Sequence, residues 1–185
     1  MTTSDVPRWV MDTSTFTHFF RAGYGDILRR LAPLGVVVIT DTVHGEVQDG
    51  RDLDLDIPSP NDLPWVELAV LTAAEEHDQL IFKVSMPSRK DDNPHKNMGE
   101  CAVLACATHR NMVAVIDDGD ARILARTHEI KYVNSMWIVA QAYRALDDVD
   151  AESAEQIYEA LLETGMRLPV VESFIGWAYE VGLLP

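Results

Sequence analysis

"GVVVIT", residues 35–40, decides how the rest of the chain is read. After the glycine every residue is β-branched, and no polar position alternates with the apolar ones. A run of that kind has no solvent face. It fits a strand buried on both sides, as in a parallel sheet covered by helices. Four other stretches have similar strand character: "RWVMD" (8–12), "WVELAV" (65–70), "MVAVID" (112–117) and "IKYV" (130–133). Between them lie segments with helical spacing: "FTHFFRAG" (16–23), "DILRRLAPL" (26–34), "TAAEEHDQLIFKV" (72–84), "MGECAVLACATHR" (98–110) and "GDARILARTHE" (119–129). "DTVHGEV" (41–47) is expected to open another helix, with Asp41 as its N-cap. Strands that alternate with helices imply an α/β fold, with about five parallel strands between helical layers. Two amphipathic helices, "NSMWIVAQAYRAL" (134–146) and "AESAEQIYEALLETG" (151–165), and a tail helix near "VESFIGWAYEVG" (171–182) follow the last strand. No repeat or linker divides the chain, so one domain over 1–185 is expected. Its C-terminal helices, about 134–183, either pack on that domain or form an interface.

Composition narrows the class. The 185 residues are 47% hydrophobic and 24% charged, ordinary for a soluble globular chain. No apolar run approaches the roughly 20 residues that span a bilayer. The start, "MTTSDVPRW", lacks the charged and apolar regions of a signal peptide, so a cytoplasmic protein is expected. Cys101 and Cys106 lie five apart on one helix and point in different directions, which favours reduced, core-packed thiols. The formal net charge of −15 argues against a broad nonspecific nucleic-acid surface. That charge is uneven. Residues 41–78 hold eleven acids and one base, and residues 147–180 hold nine acids and one base. Lys83, Arg89, Lys90 and Lys96 fall just before Glu100. They form either a positive rim beside an acidic site or a solvated loop balanced by Asp91 and Asp92.

The carboxylates land where a site would be built. In open parallel sheets ligands sit beyond the carboxyl ends of the strands, where the strand order reverses. Asp12 ends the first strand, and Asp117 and Asp118 end the fourth. Glu46 and Glu100 each stand early in a helix at that edge. Each has a plain alternative: Asp12 as a helix cap, Glu46 as a solvated helix residue, "DDGDAR" as a capping turn, and Glu100 as an acid favoured by the helix dipole. Gathered in one crevice, they would repel and raise one another's pKa unless a cation compensated. All-oxygen ligands without a His or Cys set favour Mg²⁺ or Mn²⁺ over zinc.

"VMDTSTFTHFFRAG", "VHGEV", "MGECAVLACA" and "VAVIDDGDARILAR" together resemble the four acidic blocks of PIN-domain nucleases. The downstream "YVNSMWIVAQAYRAL…EALLETGMRLP" is similar to the tail of a bacterial PIN subgroup, and the resemblance covers roughly residues 8–170. It implies a Rossmann-like three-layer α/β/α sandwich and a Mg²⁺- or Mn²⁺-dependent endoribonuclease. VapC-like members are toxins of toxin–antitoxin pairs, which implies an RNA substrate, an antitoxin partner and a homodimer as candidates. Matched block by block, Asp12 becomes the central ligand and Glu46 and Glu100 further ligands or water-orienting groups. Asp118 becomes the strand-four ligand, with Asp117 as its alternative, and Ser14 and Asp120 are secondary. Lys90, Lys96, Arg122 and Arg126 are candidate contacts to RNA phosphates. The chain departs from the family pattern at Ile116, where relatives often carry a hydroxyl or amide. It departs again at Asn134 and Ser135, where the subgroup often has glycine.

Two other classes stay open. A non-catalytic PIN-like module would use the same fold to bind protein, with Trp137, Tyr143, Tyr158 and Trp177 at an interface rather than in the core. "MDTST" also resembles the strand-end Asp of haloacid-dehalogenase-like phosphatases, but that motif needs a second Asp where Ser14 stands. His18, His44, His77, His95, His109 and His128 show no metal-ligand spacing.

Overall fold

The computed structural model describes residues 6–53, 56–87, 93 and 95–185. Five strands form one sheet: β1 (Trp9–Met11), β2 (Val37–Thr40), β3 (Val66–Ala69), β4 (Val113–Val115) and β5 (Tyr132–Val133). Their order is β3-β2-β1-β4-β5 and every pairing is parallel. Trp9 pairs with Val37 on one side and Val113 on the other, so β1 is central. Strand order reverses between β1 and β4, which places the ends of those two strands at the switch point. All four residues of β2 are buried, as the unbroken β-branched run requires. At the sheet edge, β3 leaves Glu67 and Leu68 exposed.

Nine α-helices accompany the sheet among the described residues: α1 (Thr13–Arg21), α2 (Gly25–Leu31), α3 (Asp41–Asp52), α4 (Ala73–Ser85), α5 (Met98–Arg110), α6 (Gly119–Thr127), α7 (Ser135–Ala145), α8 (Ala151–Glu163) and α9 (Phe174–Glu180). Helix α5 packs on β1, β2 and β4 with α4 and α6 beside it, while α1, α2, α7 and α8 pack on one another. The result is a three-layer α/β/α sandwich. Residues 101–107 of α5 are all buried, because this helix lies against the sheet and is covered by its neighbours. Both cysteines on it are free and buried, and burial pushes the Cys101 thiol up to about 12 and the Cys106 thiol up to about 11. The C-terminal helices pack on the body through α2·α7 and α1·α8 contacts. Tyr158 is buried, its hydroxyl donating to the Pro169 carbonyl and accepting from the Val171 amide, and Trp137, Tyr143 and Trp177 are partly buried against the core.

The strands are shorter than the apolar runs that announce them, because caps claim the last residues. Asp12 leaves β1 to cap α1, and Asp118 caps α6. The α3 cap differs from expectation. Thr40 accepts from the Val43 amide, and Asp41 is the first helical residue rather than the cap. The threonine hydroxyl emerges from the end of β2 already aimed at the first turn.

Away from the switch point, α4 and α5 are joined by an ion pair. The Glu75 carboxylate completes a capping box with Thr72 and accepts from Arg110 Nε at 2.6 Å and Nη2 at 2.8 Å. Arg110 holds the Glu75 carboxyl at about 2. A depressed folded pKa contributes stability that is present above the unfolded value and lost as pH falls towards the folded one. Urea melts are therefore expected to show stability falling from about pH 4.5 down towards pH 2. Glu75→Ala is expected to lose about 2 kcal/mol near neutrality, since it removes the ion pair and the capping box and leaves Arg110 its bond to the Val70 carbonyl. A melt of that variant matching the wild type would remove the pair from the stability account.

Candidate active site

Asp12 is the centre of the site. It is 1% exposed. Its backbone amide continues the sheet by donating to the Val115 carbonyl, and its Oδ1 accepts from the Thr15 amide at 2.8 Å. Cap and site coincide in this residue: the bond that starts α1 also fixes the carboxylate. The other oxygen, Oδ2, is buried and has no hydrogen-bond partner. Burial first, then the negative charges of Asp117 and Glu100, push the Asp12 carboxyl well above its ordinary value.

Asp117 follows β4 and is held by three donors. Ser135 gives its amide at 3.0 Å and its hydroxyl at 2.6 Å, and Thr15 gives its hydroxyl at 2.8 Å. Ser135, noted in the sequence as a departure from glycine, thus orients an acid of the site. Asp118 caps α6 through Oδ1, which accepts from the Ala121 amide. Glu100 stands in the first turn of α5; burial, then Glu46 and Asp118, raise its carboxyl from the ordinary value, and Lys83 opposes them.

These four acids line one cavity of about 450 Å³. Ser14 lies on it as well. The same cavity is also lined by Arg122, from α6, and by the turn Gly165, Met166 and Arg167 that follows α8. Arg122 Nε is buried without a partner. Among the described residues neither Arg122 nor Arg167 forms an ion pair with the carboxylates beside it. The cavity therefore offers anionic and cationic walls at once.

Glu46 is placed differently. It does not line the cavity. One carboxylate oxygen accepts from the Gly99 amide at 2.9 Å and the other accepts from the Thr13 hydroxyl. Asn97, which precedes α5 in a left-handed conformation, gives that helix no side-chain cap, so Glu46 caps α5 from a neighbouring helix. A Cβ on Gly99 would run into that carboxylate, which explains the glycine before Glu100. Burial raises the Glu46 carboxyl from its ordinary value, and the Thr13 and Gly99 bonds oppose the shift.

The other expected residues scatter. Asp120 lies in the first turn of α6, and Arg126 donates to the Tyr132 hydroxyl at 2.9 Å; neither lines the cavity. Lys96 precedes α5, its carbonyl receiving the Lys83 ammonium, and it too stays off the cavity wall. Lys90 and Arg89 lie outside the described residues. The sequence reading missed Thr13, Thr15, Ser135 as a positioning residue, and Arg167. Arg167 had a signal: it is the one base among nine acids in residues 147–180.

A divalent cation fits this donor set. A buried carboxylate oxygen with free lone pairs and no donor is what a hard cation would satisfy, and the surrounding acids supply further oxygens. Among the described residues, no three His, Cys, Asp or Glu side chains already converge as a ligand group; the acids line a cavity rather than meet at one point.

Comparison with known proteins now defines the class. A family model described as DUF3368, PIN domain, matches residues 8–173, and the chain belongs to that family. Among solved structures it is similar to the toxin VapC20 of Mycobacterium tuberculosis, described as cleaving the sarcin-ricin loop. Identity is 19%, over 63% of this chain and 94% of that one, with a TM-score of 0.48. Comparison with curated protein sequences returns no match. No helix among the described residues is long and apolar enough to cross a membrane.

Two predictions follow from the geometry. Glu46→Gln keeps an acceptor for Gly99 and a partner for Thr13, so its melting midpoint is expected to stay close to wild type. Glu46→Ala uncaps α5 and is expected to cost about 1 kcal/mol. Equal losses in both variants would show that the negative charge, not the hydrogen bonding, is what matters there. The second concerns pH. Asp12, Glu46 and Glu100 hold their protons more tightly folded than unfolded. Their ionisation therefore costs stability, a cost absent below the ordinary carboxylate range and growing as pH rises through it to the raised values. With chelator present, thermal melts are expected to show this loss, and Mg²⁺ or Mn²⁺ should restore the midpoint most at the higher pH. A midpoint indifferent to both metals at about pH 8 would contradict cation binding by these acids.

Proposed function

We propose that this PIN-family chain is a divalent-metal-dependent endoribonuclease that uses Mg²⁺ or Mn²⁺. The observation that carries the proposal is the buried, unpartnered Asp12 Oδ2 in a cavity shared with Glu100, Asp117 and Asp118. Asp12, Glu100 and Asp118 would hold the cation, and Asp117, clamped by Ser135 and Thr15, would complete or orient the set. A bound divalent cation supplies charge neutralisation for these acids and a more acidic water for attack on phosphorus.

The protein's own groups do the rest. Thr15 and Ser135 keep Asp12 and Asp117 from swinging apart under mutual repulsion. Glu46 fixes the start of α5 and with it Glu100. Arg122 and Arg167, on the same cavity and in no ion pair with its carboxylates, suit the non-bridging oxygens of a phosphodiester. The net charge of −15 disfavours a broad nucleic-acid surface, so few phosphates would be contacted and salt sensitivity would be modest. In a toxin–antitoxin setting, which the VapC-like resemblance supports, the partner would be a cognate antitoxin, the assembly a homodimer of this chain, and the compartment the cytoplasm.

The test is cleavage of a single-stranded and a structured RNA with Mg²⁺, with Mn²⁺ and with chelator, wild type beside Asp12→Asn. Metal-dependent cutting is expected, reduced at least about a hundredfold in the variant. Equal cutting by Asp12→Asn would sink the site assignment. No cutting, with no thermal shift on adding metal, would instead favour a non-catalytic binding module of the same fold.

A further inference from the structure

One side chain on the cavity wall is used by neither the carboxylates nor the arginines. His18, in the second turn of α1, sits against the end of α8, with Nδ1 2.6 Å from Thr164 Oγ1. The Thr164 hydroxyl has one proton, and it goes to the Leu161 carbonyl at 2.6 Å. Thr164 Oγ1 must therefore accept from His18, which assigns the hydrogen to Nδ1 and leaves a lone pair on Nε2. Burial and Arg21 lower the ring's pKa, which keeps it neutral near pH 7 although Asp117 opposes them. Among the described residues no donor reaches Nε2, and that atom is not one of the buried atoms left without a partner, so it is not sealed from solvent, on a residue that lines the cavity.

His18 is thus a neutral acceptor among charged groups. A bare Nε2 lone pair accepts from a donor such as a hydroxyl and repels a phosphate oxygen; imidazole also ligates metals, but the carboxylate oxygens of the same cavity suit a hard cation better. Binding pockets run from roughly 300 to 1,000 Å³, so a cavity of about 450 Å³ takes about one nucleotide unit. Within that reach of the carboxylates, the hydroxyl an RNA chain offers and a DNA chain lacks is the ribose 2′-OH.

We propose that His18 is a specificity-determining residue: its Nε2 accepts a hydrogen bond from the 2′-hydroxyl of the ribose beside the cleaved phosphate, and Thr164 is the positioning residue that holds the ring in the accepting tautomer. The proposal rests on the endoribonuclease reading above and deepens it, since it gives the basis on which ribose is told from deoxyribose. A 2′-deoxy nucleotide at that position leaves Nε2 without its donor, which is expected to cost about 10- to 100-fold in rate.

The experiment uses the full chain and two oligonucleotides, an all-RNA strand and the same strand with one 2′-deoxy nucleotide at the mapped cleavage position. Wild type is expected to cut the deoxy strand about 10- to 100-fold more slowly. His18→Ala should cut the RNA slowly and lose the preference, and Thr164→Val should fall between. A structural role for His18 would lower both rates together and leave their ratio unchanged. Should His18→Ala fail to fold, His18→Asn, whose amide can still donate to Thr164, takes its place. Nitrogen-15 NMR of the wild type, with the His18 signals identified by their loss in the variant, should report a protonated Nδ1 and a bare Nε2. A variant that keeps the full preference overturns the proposal, as does a spectrum with the proton on Nε2, whatever the activity. A wild type that cuts RNA while the variant still discriminates removes this inference alone. A wild type that cuts no RNA removes the endoribonuclease reading and this inference with it.

Discussion

The arrangement turns on one carboxylate that the fold buries almost completely at the edge of a cavity. Asp12 ends the central strand, is all but fully buried, and has one oxygen that nothing in the protein satisfies. Burial of an ionised group without a partner is costly, and a fold keeps such a group only where the surroundings hold it in place. The surroundings are a sheet whose order reverses at that strand, so that the next acid along the edge, Asp117, comes from β4. Around the pair, hydroxyl and amide donors restrain what charge alone would drive apart.

Helix capping is the means of that restraint. Asp12 and Asp118 each start a helix with the oxygen that also fixes their position, and Glu46 starts a helix not its own. The choice between cap and ligand, natural when the residues are read singly, is therefore a false one here. A cap spends one oxygen of a carboxylate and orients the other. Helix N-termini also favour negative charge, which eases the crowding of acids at this edge.

Much of the fold was legible because it rests on local pattern. The unbroken "VVVIT" run could only be a two-sided strand, and the helical spacing of "MGECAVLACATHR" marks α5 at its observed limits. The acids at strand ends were legible for the same reason, since an apolar run that stops on an Asp points to the sheet edge. Arg167 and the hydroxyls of Thr13, Thr15 and Ser135 were not legible as a group. Each meets its partner only through tertiary packing, and hydroxyl residues in first turns are too common to single out. Lys96 and Arg126, expected as contacts to RNA phosphates, lie off the cavity wall, because nearness in sequence to an acid does not fix where a side chain lands. His18 was set aside because histidines were weighed as metal ligands, whereas its neighbour is a threonine.

Beside the local caps, several of the orienting bonds span long sequence distances. Thr13 meets Glu46 across 33 residues, Gly99 meets Glu46 across 53, Thr15 meets Asp117 across 102 and His18 meets Thr164 across 146. No short piece of the chain carries the site in miniature. During synthesis the acids of β1, α5 and β4 would all have left the ribosome before α8 and the turn bearing Arg167 were complete. The cavity is complete only when α8 and the turn after it dock on the first helix.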